Sequence, residues 1–177
     1  LATPQVRREY LLPATGTEGT FYLYARTDTT GQVAESNEGN NVSPLAAIAV
    51  TQPPRADLVV EDIVVPATAT PGVPFTVSWK TRNAGAVDLT GTWVETVALS
   101  IDDTIGSDVV HTSVNFAGTL TAGGPAAERS AQVTIPLDGL AGALRAVVTT
   151  DAGGAITEAS ELNNAAISAG SVAVPLQ

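Results

Sequence analysis

The sequence contains a partial copy of itself, and this repeat restricts the fold more than any other feature. Displaced by 123 positions, Pro13 falls on Pro136, Gly16 on Gly139 and Gly19 on Gly142. Thr27-Asp28 falls on Thr150-Asp151, Gly31 on Gly154, Glu35 on Glu158, Glu38 on Glu161 and Asn40-Asn41 on Asn163-Asn164, without a gap. Between these anchors the character persists, as in Val33 against Ile156 and Tyr24 against Val147. Self-similarity at a fixed period marks a repeated structural unit. Residues 1–52 therefore read as the C-terminal part of one unit, 53–55 as a Pro-rich junction, and 56–177 as a complete second unit. Pro53-Pro54 favours an extended, stiff connection.

The second unit alternates short apolar runs with turn residues. Expected strands cover Leu58–Val65, Phe75–Lys80, Trp93–Ile101, Val109–Phe116, Ala131–Ile135, Leu144–Thr149 and Ala166–Val174. Phe75, Val77 and Trp79 alternate with polar neighbours, and Trp93, Glu95, Val97 and Leu99 share one parity, so each run turns one face inward. Asn83-Ala84-Gly85 reads as a turn. No stretch sustains a 3.6-residue period. About seven or eight strands of this rhythm define an all-β chain, an immunoglobulin-like β-sandwich of two packed sheets. The first unit offers only Val6–Leu12, Thr20–Arg26 and Ser43–Val50, too few to cover Phe21 to Tyr24. The chain is thus one complete domain plus the C-terminal strands of a preceding one.

Composition narrows the functional classes. There is no Cys, which excludes disulfides, thiol catalysis and thiolate metal sites. The net charge is −10, with Lys80 the only lysine, a balance that repels nucleic acid and anionic lipid. No apolar run approaches the ~20 residues that span a bilayer. Beginning at Leu1 with no charged-then-apolar leader, the sequence reads as a mature product or an excerpt.

The motifs V-A-E-S-N-E-G-N-N (Val33–Asn41) and I-T-E-A-S-E-L-N-N (Ile156–Asn164) share the pattern E-x-x-E-x-N-N after a Thr-Asp and a Gly. With the opening Ala56-Asp57-Leu58-Val59-Val60 and the central Leu99-Ser100-Ile101-Asp102-Asp103 with Asp108, they resemble the CARDB family, the cell-adhesion-related domain found in bacteria. The likeness covers residues 56 to about 170 as a whole domain and 10 to 50 as part of another. It implies an immunoglobulin-like sandwich in tandem within large secreted or surface proteins of bacteria and archaea, with no catalytic activity. A compressed Asp102–Asp108 loop departs from the family and sets against a loop-borne metal site.

Two acidic constellations are candidate sites. Asp28, Glu35, Glu38, Asn40 and Asn41, repeated as Asp151, Glu158, Glu161, Asn163 and Asn164, offer the hard oxygens that Ca²⁺ favours. The competing reading is a turn tied by side-chain to backbone hydrogen bonds, which Asp and Asn make readily. Asp102, Asp103 and Asp108 form the second set, either a cation loop or a solvated hairpin tip. His111 is the sole histidine and reads as a strand residue; no nucleophile elbow or triad accompanies it. Trp79 and Trp93 read as core rather than as a sugar platform. The glycine pairs Gly123-Gly124 and Gly153-Gly154 precede no helix and read as turns, not phosphate cradles.

These readings converge on an extracellular or cell-surface module without catalysis or resident cofactor, Ca²⁺ apart. Its partners would be neighbouring repeats or other copies of the protein, with no nucleic acid and no membrane insertion. The leading function is a spacer or shaft in a tandem-repeat adhesion protein. The alternatives are a filament subunit completed by strand exchange between copies, and a carbohydrate- or protein-binding module, which would need an exposed aromatic patch.

Overall fold

The computed structural model describes residues 9, 11, 18–106, 108–137 and 140–175. The expected strand Val6–Leu12, apart from Glu9 and Leu11, and the repeat anchors Pro13, Gly16 and Gly139 lie outside the described residues. The chain divides into two compact units, Leu1–Pro53 and Pro54–Gln177.

In the first unit β1 (Gly19–Leu23) pairs antiparallel with β2 (Ala46–Val50), with Phe21 opposite Ile48 and Leu23 opposite Ala46. Both strands are shorter than expected. Pro44 has no N–H to give to a ladder. The Ser43 hydroxyl takes the Ala25 N–H at 2.9 Å and donates to Pro44 O at 3.0 Å, so only the bridge Arg26 to Val42 continues the pairing. A single 3-10 turn, Glu38–Asn40, sits in the connection, with the Asn37 side chain accepting from Gly39 N.

Among its described residues the second unit holds eight strands: β3 (Leu58–Val64), β4 (Phe75–Asn83), β5 (Leu89–Ser100), β6 (Val109–Leu120), β7 (Ala127–Val133), β8 (Gly142–Thr149), β9 (Ala165–Ile167) and β10 (Val172–Val174). One sheet has the order β3-β4-β7; the other runs β10-β8-β5-β6, with β9 also on β8. This is the immunoglobulin-like sandwich. Its inner faces bring Val60, Val77, Trp79, Ala131 and Val133 against Val97, Leu99, Leu144, Ala146, Val148 and Val172. Burying each Val or Leu side chain among them stabilises the fold by roughly 1.5–3 kcal/mol. A second cluster joins Leu58, Trp93, Phe116 and Leu120, with Trp93 stacked on Phe116 at 4.1 Å between ring centroids. Both tryptophans are buried, as their strand parity requires.

Strands β4, β5 and β6 run longer than the sequence reading has them and β7 begins four residues earlier, while two further elements differ in course. The expected strand Ala166–Val174 is two strands broken at Ser168. Its buried hydroxyl takes the Ala146 N–H at 3.0 Å and donates to Gly170 O at 2.6 Å, stitching the gap. The first strand shifts register between Glu61 and Val64, where Asp62 has φ 54°, a conformation that short polar side chains tolerate. Past the shift the chain crosses to the other sheet. Thr68 bridges Ala173 in parallel, Ala69 N donates to Ala173 O and Ala173 N donates to Ala67 O.

The inward stripe of β4 turns polar towards its end. Val77 and Trp79 are followed by Thr81 and Asn83, all fully buried. Thr81 Oγ1 donates to Glu95 Oε1 at 2.6 Å and Thr150 Oγ1 does so at 3.2 Å, while Arg129 Nε donates to Glu95 Oε2 at 2.7 Å. The Arg129 guanidinium lies 5.2 Å from the Phe116 ring centroid. A buried carboxylate is tolerated when both oxygens are hydrogen-bonded and a cation pairs with it, as here.

Candidate functional site

The first acidic constellation forms the loop that follows β8. Asp151 has φ 40°, which lets both carboxylate oxygens turn back on the loop: Oδ1 takes the Ala155 N–H and Oδ2 the Ile156 N–H, each at 2.9 Å. Gly154, at φ 60°, supplies the left-handed residue that closes this turn. Glu161 Oε1 accepts from Glu158 N at 3.1 Å. The competing turn reading thus describes the internal wiring of this loop.

The loop also grips the start of the first strand, a role that the spacing of its acids did not reveal. Ala159 N donates to Ala56 O at 2.8 Å. Asp57 Oδ1 takes the Ser160 N–H at 3.2 Å, and Asp57 Oδ2 takes Asn163 Nδ2 at 3.1 Å. Leu58 N donates to Glu158 Oε2 at 2.9 Å. With its amide nitrogen turned toward the acceptors, Asn164 donates to Leu58 O at 3.2 Å and to Glu158 Oε2 at 3.1 Å. Every member of the E-x-x-E-x-N-N pattern is therefore bound to the loop itself or to Ala56-Asp57-Leu58. Asp57 is the residue that sequence reasoning missed as part of the site, although it stands in the opening motif.

Glu158 is the outlier. It is 3% exposed, and its Oε1 has no hydrogen-bond partner. Burial pushes its carboxyl up to about 7, the Leu58 N–H opposes this, and the negative charges of Glu161, Asp151 and Asp57 add to it.

In the first unit the bonds of the Asp turn and of the second Glu recur, while the last Asn is held differently. Asp28 also has φ 40°; its Oδ1 takes Gln32 N at 2.8 Å and its Oδ2 takes Val33 N at 3.0 Å. Glu38 Oε1 accepts from Glu35 N at 3.0 Å. Thr27 N donates to Asn41 O at 2.9 Å, where Thr150 N donates to Asn164 O at 2.8 Å. Asn41 Nδ2 donates to Glu38 Oε2 at 3.1 Å. The loop is open to solvent, and Thr27, Glu35, Ser36, Asn37, Asn40 and Asn41 line a hollow of about 510 Å³.

The second acidic set occupies the β5–β6 hairpin tip. Asp102 Oδ1 accepts from Thr104 N at 2.9 Å, Thr104 Oγ1 at 2.7 Å and Ser100 Oγ at 3.1 Å, which holds its carboxyl below the usual carboxylate range. Asp103 pairs with Arg145, and Asp108 accepts from Gly106 N at 3.3 Å. Among the described residues no three His, Asp or Glu side chains converge as a metal-holding group. His111 lies in β6 at the register shift opposite Val97 and Ala98.

Residues 55–168 match the CARDB family over more than half of the chain. The chain belongs to this family of cell-surface-associated, adhesion-related domains. Among solved structures it is similar to a CARDB domain from Pyrococcus furiosus in complex with di-metal ions, at 20% identity and TM-score 0.49, covering 68% of this chain and 90% of that one. A solution structure of the Pyrococcus furiosus domain matches at 21% identity and TM-score 0.49, covering 70% and 98%. A domain named as coming from a cell surface protein of Methanosarcina acetivorans matches at 20% identity and TM-score 0.48, covering 70% and 95%. No curated protein matches the chain. No helix among the described residues is long and apolar enough to cross a membrane.

Proposed function

We propose that this chain is a stretch of a tandem array of CARDB-type sandwiches outside the cell, a non-catalytic spacer or shaft in an adhesion protein. One observation carries the reading: the Asp turn in the closing loop of the second unit is rebuilt in the first with the same hydrogen bonds and the same left-handed Asp. Two units of one design in a row, joined at Pro53-Pro54 and carrying net charge −10, suit a soluble stalk. Electron micrographs of the native protein test it. Short beaded stalks support the array; isolated single globules would sink it.

A filament completed by strand exchange is the second reading. It is favoured by the bare sheet of the first unit, where Phe21 is 40% exposed and Ile48 38%. Long uniform fibres with a regular axial repeat would select it. The sugar-platform version of a binding module is weakened because Trp79 and Trp93 are in the core, which leaves exposed aromatics among the described residues at Phe21, Tyr22 and Tyr24.

A further inference from the structure

The two sheets of the second unit carry their charge unequally. On the sheet β3-β4-β7 the outward residues include Glu61, Lys80, Arg82 and Glu128, and these are tied in ion pairs. Lys80 Nζ lies 2.9 Å from Asp62 and 3.7 Å from Glu128, and Arg82 Nε lies 2.9 Å from Glu61. That face is built for water. The five-stranded sheet is different. Along β5 the interior takes Trp93, Glu95, Val97 and Leu99, which turns Thr90, Thr92, Val94, Thr96, Ala98 and Ser100 outward. Their ladder partners in β6 and β8, continued into β9 and β10, add Val, Ala, Ile, Thr, Ser and Asn, and a single Asp, Glu, Lys or Arg, which is Arg145. Arg145 stands at the end of the face, opposite Ser100, where Asp103 pairs with it and the Ser168 and Ala169 carbonyls accept from its Nη1.

We propose that the outward face of the five-stranded sheet is a contact surface for a second copy of this chain, packed sheet to sheet about a two-fold axis. Charge selects the occupant. Each copy carries −10, so two copies repel over most of their surface and approach at least cost through a face without charge. Area agrees. At about 3.3 Å per residue and 4.8 Å per strand, the five strands cover on the order of 600 Å². Two such faces bring together about 1,200 Å², the lower bound for a specific interface, which makes this a weak contact. The side chains suit the packing, since most are small or β-branched and let two sheets lie about 10 Å apart. Val110, 53% exposed, and Val94, 39% exposed, stand furthest out. Thr90 and Thr119 share a hydroxyl hydrogen bond at 2.8 Å, so part of the polar cost of covering them is already met. A two-fold axis brings this one patch against itself, so nothing else on the chain has to be complementary to it. Salt strengthens such a contact, because it screens the repulsion between copies and finds no ion pair in the interface to weaken. The inference does not depend on the stalk reading. Within an array, it zips two shafts side by side, many weak contacts acting together.

The test is sedimentation velocity of the intact chain, from micromolar to millimolar concentration, at about 20 mM and about 500 mM NaCl. The expected result is a reversible monomer–dimer equilibrium that tightens with salt. Val94→Glu and Val110→Glu each set two like charges across the axis and should weaken the dimer at least about tenfold. Both side chains are exposed, so these variants keep the fold, which circular dichroism checks. Ser130→Glu adds the same charge to the exposed outward side of β7 and should change the equilibrium less than about twofold. A chain that stays monomeric at millimolar concentration overturns the proposal. So does a dimer that both valine variants leave intact, or one that Ile48→Asp alone abolishes, which would assign the contact to the first unit. A dimer that weakens with salt would mean charge pairing between copies and overturns it equally. Beaded stalks seen by microscopy together with a monomeric chain would sink this inference and leave the functional reading standing.

Discussion

At the residue scale, Glu158 holds two opposed tendencies. Its Oε2 holds Leu58 N–H and Asn164, which favours the charged form; its Oε1 is buried without a partner among neighbouring carboxylates, which disfavours it. Burial wins, and the folded carboxyl titrates near 7 against an ordinary 4.5. Between those two values the folded state keeps a proton that the unfolded chain has released. This contribution to stability is therefore complete below about pH 4.5, falls as pH rises through 7 and is flat above, with a span on the order of 3 kcal/mol. Glu158→Gln should remove that slope and match or exceed the parent at pH 8, as read by urea unfolding at pH 5 and pH 8. An unchanged slope would show that the proton resides elsewhere. The sequence made this residue visible as an acid in a repeated pattern. It could not show the burial, because that depends on Ala56-Asp57-Leu58 arriving from a hundred positions away.

At the element scale, the start of the first strand is gripped from a second side. The turn after β4 donates Ala84 N to Asp57 O at 2.7 Å and Ala86 N to Arg55 O at 2.8 Å, and Asn83 Oδ1 takes the Asp57 N–H at 3.1 Å. The approach is close enough that a Cβ on Gly85 would fall 2.6 Å from Ala56 Cα, backbone that cannot step aside. Gly85→Ala should therefore cost about 2–4 kcal/mol. Gly91→Ala, whose Cβ would meet only Ile156 Cδ1 at 3.6 Å, should cost less than about 0.5 kcal/mol. Equal costs in thermal unfolding would refute the packing argument. Asn83-Ala84-Gly85 was legible as a turn from residue types alone. The period-two runs also gave the strands of both sheets, since parity in β4 and β5 follows from local geometry. The break at Ser168 and the crossing after Asp62 were not legible. Each is settled by a hydrogen bond to a distant strand, and an isolated run of apolar residues carries no trace of it.

At the scale of the whole molecule, the repeat told most: it set the two units and named the loop common to both. What it left open was whether that loop serves a cation or the fold. The observed bonds engage both oxygens of Asp151 and of Asp57 with N–H donors. Millimolar Ca²⁺ should consequently leave the unfolding midpoint of the second unit within about 1 °C. An ion bound at a hundredfold excess over its Kd would instead add about 2.7 kcal/mol and several degrees. The same test on the first unit reports on Asp28, Glu35 and Glu38 in the open loop.

The parallel bridge between Thr68 and Ala173 bears on what such a unit does under tension. Drawn out by its two ends, the segment at 67–69 and β10 are pulled in opposite directions along a common line. The bonds Ala69 N to Ala173 O and Ala173 N to Ala67 O then slide past one another together instead of peeling one at a time. A tether made of these units should stay stiff up to a threshold force and then yield abruptly, one unit per step. Ala173→Pro, which removes the second donor, should lower that force in single-molecule stretching; an unaltered force would place the mechanical clamp elsewhere.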